Sequence, residues 1–406
     1  MMAEPFLPSS TRRAAWVSTG ILLYLLLVRF IAQPLHARGD AQSFLAAINA
    51  SGFVLGFPGF ALAGAVNQRA VEHVSNFQFW FGLVSNFILY TAGLRVVAGF
   101  MRSSQNTKQI AVCPNHSRRR FLRKTANLTT GGVLGGAFGY SLFLEPARLR
   151  ITPRTFTIRD LPPSLDGLTI AQVSDVHHGP WFSLARVCEM VRMVNALRAD
   201  LIVLTGDYVY ESADYIDPAV EAMAALRAKI GIVGVLGNHD WWDHGVPMKA
   251  AFARHGLPLI DNTRLILTAD RKLSAEAEDG LCLAGVGDLW EDVPDYDAAL
   301  ARLPDHMPRL LLAHNPDTAE DARFIAGKYR VDLMLSGHTH GGQVWVPGFG
   351  TPIVPSRFGQ KYASGLVQGP ACPVFISRGI GLSGLPIRFG VPPEIVLMTL
   401  KRGALC

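Results

Sequence analysis

The sequence predicts a chain in two parts: a helical transmembrane region over residues 1–149, then an α/β domain over residues 150–406. Three observations carry that reading. Four apolar stretches precede residue 150. Beyond Pro153, short apolar runs alternate with runs of helical spacing. Five of the short runs end in Asp, Asn or His.

The apolar stretches are Ala14–Ile31, Phe44–Val66, Phe77–Phe100 and Thr125–Leu144. Each approaches the ~20 residues a helix needs to cross a bilayer. Their length and short connectors argue against buried helices of a soluble domain. Arg29 interrupts the first late, and Arg95 lies near the end of the third. The second and fourth are glycine-rich, which membrane helices tolerate.

Charge divides the chain at the same place. Residues 1–150 hold 15 Lys/Arg against 4 Asp/Glu, and residues 151–406 hold 23 against 28. A nucleic-acid partner is not expected, because the basic residues avoid the working domain. Beside apolar segments they set topology or meet anionic lipid. The stretch 101–124 carries seven Lys/Arg and no acid, so the positive-inside rule places it in the cytoplasm. The next helix would then cross and leave the domain outside.

Within that stretch, "SRRRFLRK" resembles a twin-arginine export signal, although it starts at Ser117 instead of the N-terminus. Arg12 and Arg13 give a contrary cue, since four spans from an inside N-terminus return the chain to the cytoplasm. The expected location is a bacterial inner membrane, multi-pass, with the domain on the extracytoplasmic side. No A-x-A cleavage site stands near 145–150, so the domain is expected to stay tethered. Five cysteines (113, 188, 282, 372 and 406) without a CxxC exclude a disulfide framework and a thiolate metal site.

In the domain, "LTIAQVSDVHHG" reads as a strand running into a polar tip. A helix follows with Leu184, Val187, Met190, Val191, Val194 and Leu197 on one side. "LIVLTGDYVY" is a second buried strand. Asp217 and Pro218 read as the N-cap and first residue of the next helix. "GIVGVLGNHD" is a third strand. "PRLLLAHNPD" and "VDLMLSGHTH" are two more, separated by the helix-like "TAEDARFIAGKY". The tail from Gln343 to Leu400 reads as β-rich with Gly/Pro punctuation.

Open α/β sheets place ligands outside the carboxyl ends of their strands. The five tips should therefore converge. They offer Asp175, His177, Asp207, Asn238, His314, His338 and His340, three oxygen donors and four imidazoles. One ion rarely needs seven ligands; two ions sharing a carboxylate suit them. Mixed N/O ligation favours Mn, Fe, Co, Ni or Zn over Mg or Ca. Such a pair can activate water and stabilise charge in an in-line displacement. Taken singly, each motif also reads as an ordinary turn; all five in this order do not.

The motifs "SDVHHG", "TGDYV", "GVLGNHDWW", "LLAHNPD" and "SGHTHGGQ" resemble the calcineurin-like metallophosphoesterase superfamily over about residues 168–400. "SRGIGLSGLPIRFGVPPEI" is most similar to a membrane-linked bacterial branch of exported phosphodiesterases and UDP-diacylglucosamine pyrophosphatases. The resemblance implies a four-layer αββα sandwich, two β-sheets flanked by helices. It implies two divalent ions, from Mn, Fe, Zn or Co. Asp175, His177 and His340 would hold the first, Asn238, His314 and His338 the second, and Asp207 would bridge them. His239 would act on the phosphate, stabilising charge or protonating the leaving oxygen, with Asp240 orienting it.

His178 is expected at the substrate or, equally, as a surface histidine; Arg388 is expected on a second phosphate or an acidic headgroup or, equally, in a structural salt bridge. Asp288 is expected behind the ligands. Trp181, Trp241 and Trp242 read as packing residues or as an apolar rim, and His244, His255 and His306 as solvated.

The leading functional expectation is a membrane-anchored phosphohydrolase acting on a phosphorylated small molecule or a lipid-linked substrate, with membrane lipids as its other partners. A cytoplasm-facing UDP-2,3-diacylglucosamine pyrophosphatase is the alternative within the same chemistry. A non-catalytic sensor or transport protein is the alternative outside it. The complete ligand set argues against that last reading, as does the lack of paired intramembrane acids.

Overall fold

The computed structural model describes residues 114–403 except 211, 243 and 244. The expected spans at Ala14–Ile31, Phe44–Val66 and Phe77–Phe100 lie outside these residues, as do Cys113, His244 and Cys406. The fourth stretch is helical: α1 (Pro114–Gly139) runs into a π turn, Tyr140–Leu144. No described helix is long and apolar enough to cross a membrane. That departs from the expectation for Thr125–Leu144, whose hydropathy is diluted by the glycines of "TTGGVLGGAFG" and by Asn127.

The chain divides into two compact units, Met1–Gly132 and Val133–Cys406. Of the first, the described residues belong to α1. The second holds two β-sheets. One contains β1 (Arg150–Ile158), β2 (Thr169–Val173), β3 (Leu201–Thr205), β4 (Gly231–Val235) and β12 (Glu394–Arg402), in the order β1-β12-β2-β3-β4. β2, β3 and β4 are mutually parallel. The other contains β5 (Thr263–Leu267), β6 (Leu273–Ser274), β7 (Leu281–Gly285), β8 (Arg309–Leu312), β9 (Leu333–Ser336), β10 (Gly365–Gln368) and β11 (Pro373–Ile376), in the order β10-β11-β9-β8-β7-β5-β6. β7, β8, β9 and β11 are parallel.

Side-chain alternation along these strands builds three apolar layers. Leu201 and Val203 of β3 meet Leu310, Leu312, Leu333 and Leu335 of the other sheet in a central core. Ile202 and Leu204 point the other way, onto α2 (Leu184–Ala196), α3 (Ile216–Met223) and α5 (Gly245–Arg254). Cys282, Ala284, Leu311 and Met334 cover the far side with α6 (Tyr296–Leu300) and α7 (Ala322–Gly327). The result is the four-layer arrangement of helices, sheet, sheet and helices. Each buried Leu in the central layer contributes about 1.5–3 kcal/mol, so the two sheets are clamped in fixed register and their strand tips with them.

Several elements differ from the sequence reading. In α2, Val187, Met190, Val191 and Val194 are buried, but Leu184 is exposed and Leu197 half-buried. α3 starts two residues earlier than expected, with Tyr215 at its N-cap. A 3₁₀ turn, Ala213–Tyr215, capped by the Ser212 hydroxyl, feeds directly into it. The tail is mostly loop, with strands only at β10, β11 and β12.

Candidate metal centre

The backbone around the strand tips is unusual before any side chain is considered. Asp175, His177, Asp207, His338 and His340 all have positive φ, at 53°, 47°, 56°, 68° and 51°. For a non-glycine residue this left-handed conformation costs roughly 1–2 kcal/mol. Five of the seven candidate ligands carry that strain, which the clamped sheets hold in place. Two glycines make room for it. A methyl at Gly237 would collide with the Asp207 carboxylate, and one at Gly337 with the Asp175 carboxylate.

All seven candidate ligands are buried. Asp175 and His177 follow β2, Asp207 follows β3, and Asn238 opens α4 (Asn238–Trp241) after β4. His314 follows β8 and the His338/His340 pair follows β9, so both sheets contribute. Asp175, His177 and His340 form one cluster of donor atoms; Asp207, His314 and His338 form another. In the first, Nε2 of His177 and Nε2 of His340 are 2.9 Å apart, and Nε2 of His340 is 3.5 Å from Oδ1 of Asp175. In the second, Nδ1 of His338 is 2.8 Å from Oδ1 of Asn238. One oxygen lies between the clusters: Oδ2 of Asp207 is 3.4 Å from Nε2 of His177 and 3.1 Å from Nε2 of His314. Donors about 2.1 Å from a shared ion would stand about 3 Å apart, close to these separations.

Unpaired buried atoms also fit a metal. His314 donates from Nδ1 to the Thr205 carbonyl at 2.7 Å, which turns Nε2 toward Oδ2 of Asp207. Oδ2 of Asp175 and Nε2 of His338 are buried without a hydrogen-bond partner among the described residues. Burial holds His177 and His340 well below the usual imidazole range and pulls His338 down to about 3, so these rings are neutral donors. His314 differs. Burial opposes its protonation, but Asp207, Asp175 and Asp288 raise it to about 10. Burial would likewise raise Asp207, yet His314 and His239 hold its carboxyl well below the usual range. The His314 imidazolium and the Asp207 carboxylate thus form a charge pair, 3.1 Å apart.

His239 is buried, its backbone N–H donating to Oδ1 of Asp207 at 2.9 Å. Its ring lies 3.8 Å from that of Trp242, 4.7 Å from that of His177 and 5.4 Å from that of Tyr210, between centroids. Burial lowers it to about 4. Asp240 does not orient it. The Asp240 carboxylate instead accepts backbone N–H groups of Asp207, Tyr208 and Gly237 at 2.8, 2.8 and 2.9 Å. Those donors left by the turns at β3 and β4 consume its acceptor capacity.

The two expected substrate contacts are also otherwise engaged. His178 is buried, donates from Nδ1 to the Phe182 carbonyl at 2.9 Å, and packs edge-on against Tyr215. Arg388 is fully buried. Its guanidinium donates to the carbonyls of Arg378, Gly379, Gly381 and Val391, which leaves no free edge for a phosphate. Among the described residues it forms no salt bridge either.

Trp241 packs on the helical side of the five-stranded sheet, with the Lys249 ammonium over its ring. Trp181 is exposed, as is His255, while the exposed His306 stands 3.8 Å from Asp279. Asp288 is buried and caps the N–H groups of Trp290 and Glu291, with Oδ2 unpaired. The sequence reading missed the neighbours of this loop. The Trp290 ring stands edge-on to His338 with centroids 4.3 Å apart, and Glu291 accepts from Trp242 Nε1 at 3.2 Å. "GVGDLW" following β7 is a sixth strand tip of the same kind, and that was the available signal.

Comparison with known proteins agrees with this geometry. Residues 168–342 match the family model described as calcineurin-like phosphoesterase. The chain is 33% identical over 290 residues to the uncharacterized metallophosphoesterase YkuE of Bacillus subtilis, an alignment covering 70% of this chain and 98% of that one. It is 30% identical over 299 residues to phosphodiesterase YaeI of Escherichia coli, covering 70% and 99%. It is 28% identical over 325 residues to UDP-2,3-diacylglucosamine pyrophosphatase LpxG of Chlamydia trachomatis, covering 68% and 96%.

Proposed function

The chain belongs to the calcineurin-like phosphoesterases and is therefore a hydrolase; from that premise we propose that its buried cluster holds two divalent ions and cleaves a phosphoester or phosphoanhydride of a membrane-associated substrate. Asp175, His177 and His340 would hold one ion, Asn238, His314 and His338 the other, and Asp207 both. The position of the Asp207 Oδ2 between His177 and His314 carries this reading. Bound ions of this kind lower the pKa of water and offset phosphoryl charge.

The residues supply the rest. The strained tips fix the donor directions before any ion arrives. The Thr205 carbonyl sets the His314 tautomer. His239 sits beside both clusters, and burial keeps it neutral. It serves better as a hydrogen-bond donor to developing phosphoryl charge than as a pre-protonated acid. The Trp242 and Trp290 rings flank those of His239 and His338.

Relatives named phosphodiesterase and UDP-2,3-diacylglucosamine pyrophosphatase support a diester or a lipid-linked pyrophosphate as the substrate. The apolar segments before residue 101 support membrane attachment, and a reporter fused after Gly403 reads on which side of the membrane the domain lies. The central test is full-length protein stripped of metal and reloaded with Mn, Fe or Zn. Two ions per chain and turnover of a phosphodiester are expected. Asp207→Ala should lose both ions; a variant retaining full occupancy and rate would refute the bridging role.

A further inference from the structure

Arg388 is a fully buried guanidinium, and its partners are backbone carbonyls. Its Nε donates to the Gly381 carbonyl at 3.2 Å and its Nη1 to Val391 at 3.2 Å. Its Nη2 donates to the carbonyls of Arg378 at 2.9 Å and Gly381 at 2.7 Å. The same Nη2 lies 3.3 Å from Nδ1 of His340, so the guanidinium walls the back of that ring. The segment it gathers also supports Asp175: the Gly381 N–H donates to the Asp175 carbonyl at 2.6 Å, and a methyl at Gly379 would collide with the Asp175 side chain. One side chain thus braces two ligands of the first cluster.

Arg388 is itself held from outside the two sheets. Its N–H donates to the carbonyl of Ser141 at 3.0 Å, in the π turn that ends α1. Two residues on, the Gly390 N–H donates to Oε2 of Glu145 at 3.0 Å. The Glu145 side chain is buried, and Tyr140 meets Phe389 edge-on with centroids 6.4 Å apart. The same loop pairs with the chain just after His340, where Phe389 N–H donates to Gln343 at 2.8 Å and Trp345 N–H to Phe389 at 2.7 Å.

We propose that Arg388 and Glu145 are positioning residues for the first metal position, and that the end of the α1 segment is built into the support of His340 and Asp175. This rests on the dinuclear reading above. The planar five-donor fork of arginine matches diverging carbonyls; a lysine ammonium cannot span them. Groups that orient metal ligands typically change metal affinity 10–100-fold when removed.

The test uses the full-length chain and measures metal stoichiometry and affinity by competition with a chelating dye, alongside the melting temperature of the metal-free protein. Wild type should bind two ions. Glu145→Ala and Arg388→Lys should each weaken one of the two sites tenfold or more and leave the other unchanged. Glu145→Gln, which keeps an oxygen acceptor for the Gly390 N–H, should restore wild-type affinity. If Glu145→Ala binds both ions as wild type does, or loses both in parallel with the melting temperature, the proposal fails. If wild type itself binds fewer than two ions, the dinuclear reading fails and takes the proposal with it.

Discussion

His239 and His314 are both buried imidazoles beside Asp207, yet their environments drive them apart. Burial lowers His239 to about 4, whereas His314, equally buried, is raised to about 10 because its Nε2 stands 3.1 Å from the Asp207 carboxylate and Asp175 and Asp288 add to the field. Two predictions follow from that split. His239→Ala should retain both ions and lower kcat by roughly 10²–10³, the effect of removing one charge-stabilising donor; metal analysis and steady-state rates check it, and loss of metal would make His239 a ligand. As a ligand, His314, whose protonation Asp207 favours, would give up its proton to an incoming cation near neutral pH. Apparent metal affinity should therefore rise with pH, by about tenfold per unit for one displaced proton. Titrations from pH 6.5 to 8.5 in non-chelating buffer test this, and a flat profile would contradict it. The clustering of the candidate ligands could be read from the sequence because their types carry the chemistry. The tasks of Asp240 and Arg388 could not. Both side chains serve backbone groups, and the sequence does not mark which N–H or carbonyl a turn will leave unpaired.

At the level of elements, β3 and β4 end in tight turns that leave N–H groups pointing into the fold, and Asp240 of α4 collects three of them. Asp240→Ala strands those donors in a buried site, at about 1–3 kcal/mol each. A loss of at least about 3 kcal/mol is expected, seen as a melting temperature lower by roughly 6–12 °C at 2–4 °C per kcal/mol. Asp240→Asn keeps one acceptor oxygen and should lose less. An unchanged melt for Asp240→Ala would remove the clip role. The strands leading to the five tips were legible because each is a short apolar run stopped by glycine and polar residues. β1, β5 and β7 were not: "RITPRTFTI" alternates without a polar tip, and "LCLAG" is too short to separate from a helix turn. The start of α3 was misplaced for a related reason. Asp217 and Pro218 suit a helix start, but the capped 3₁₀ turn before them had already set the chain turning.

For the whole molecule, the division of ligands between the two sheets matters most. Asp175, His177, Asp207 and Asn238 hang from the five-stranded sheet, and His314, His338 and His340 from the seven-stranded one. The central apolar core already holds the sheets together below this edge. At the edge itself, strained backbone and neutral imidazoles stand beside one histidine whose protonation Asp207 favours. Two ions would join donors of both sheets there and act as staples across the sandwich. Binding to the folded chain alone adds RT ln(1 + [L]/Kd), about 2.7 kcal/mol for one site at a hundredfold excess over Kd. At 2–4 °C per kcal/mol for a domain of this size, chelation should lower the melting temperature by about 5–11 °C per site. The loss should be larger at pH 8 than at pH 6.5, where protons compete better with the ions for His314. Scanning calorimetry of chelated and Mn-loaded protein at both pH values measures it. A melt indifferent to metal at either pH would mean that the ions, if bound, do not tie the sheets together.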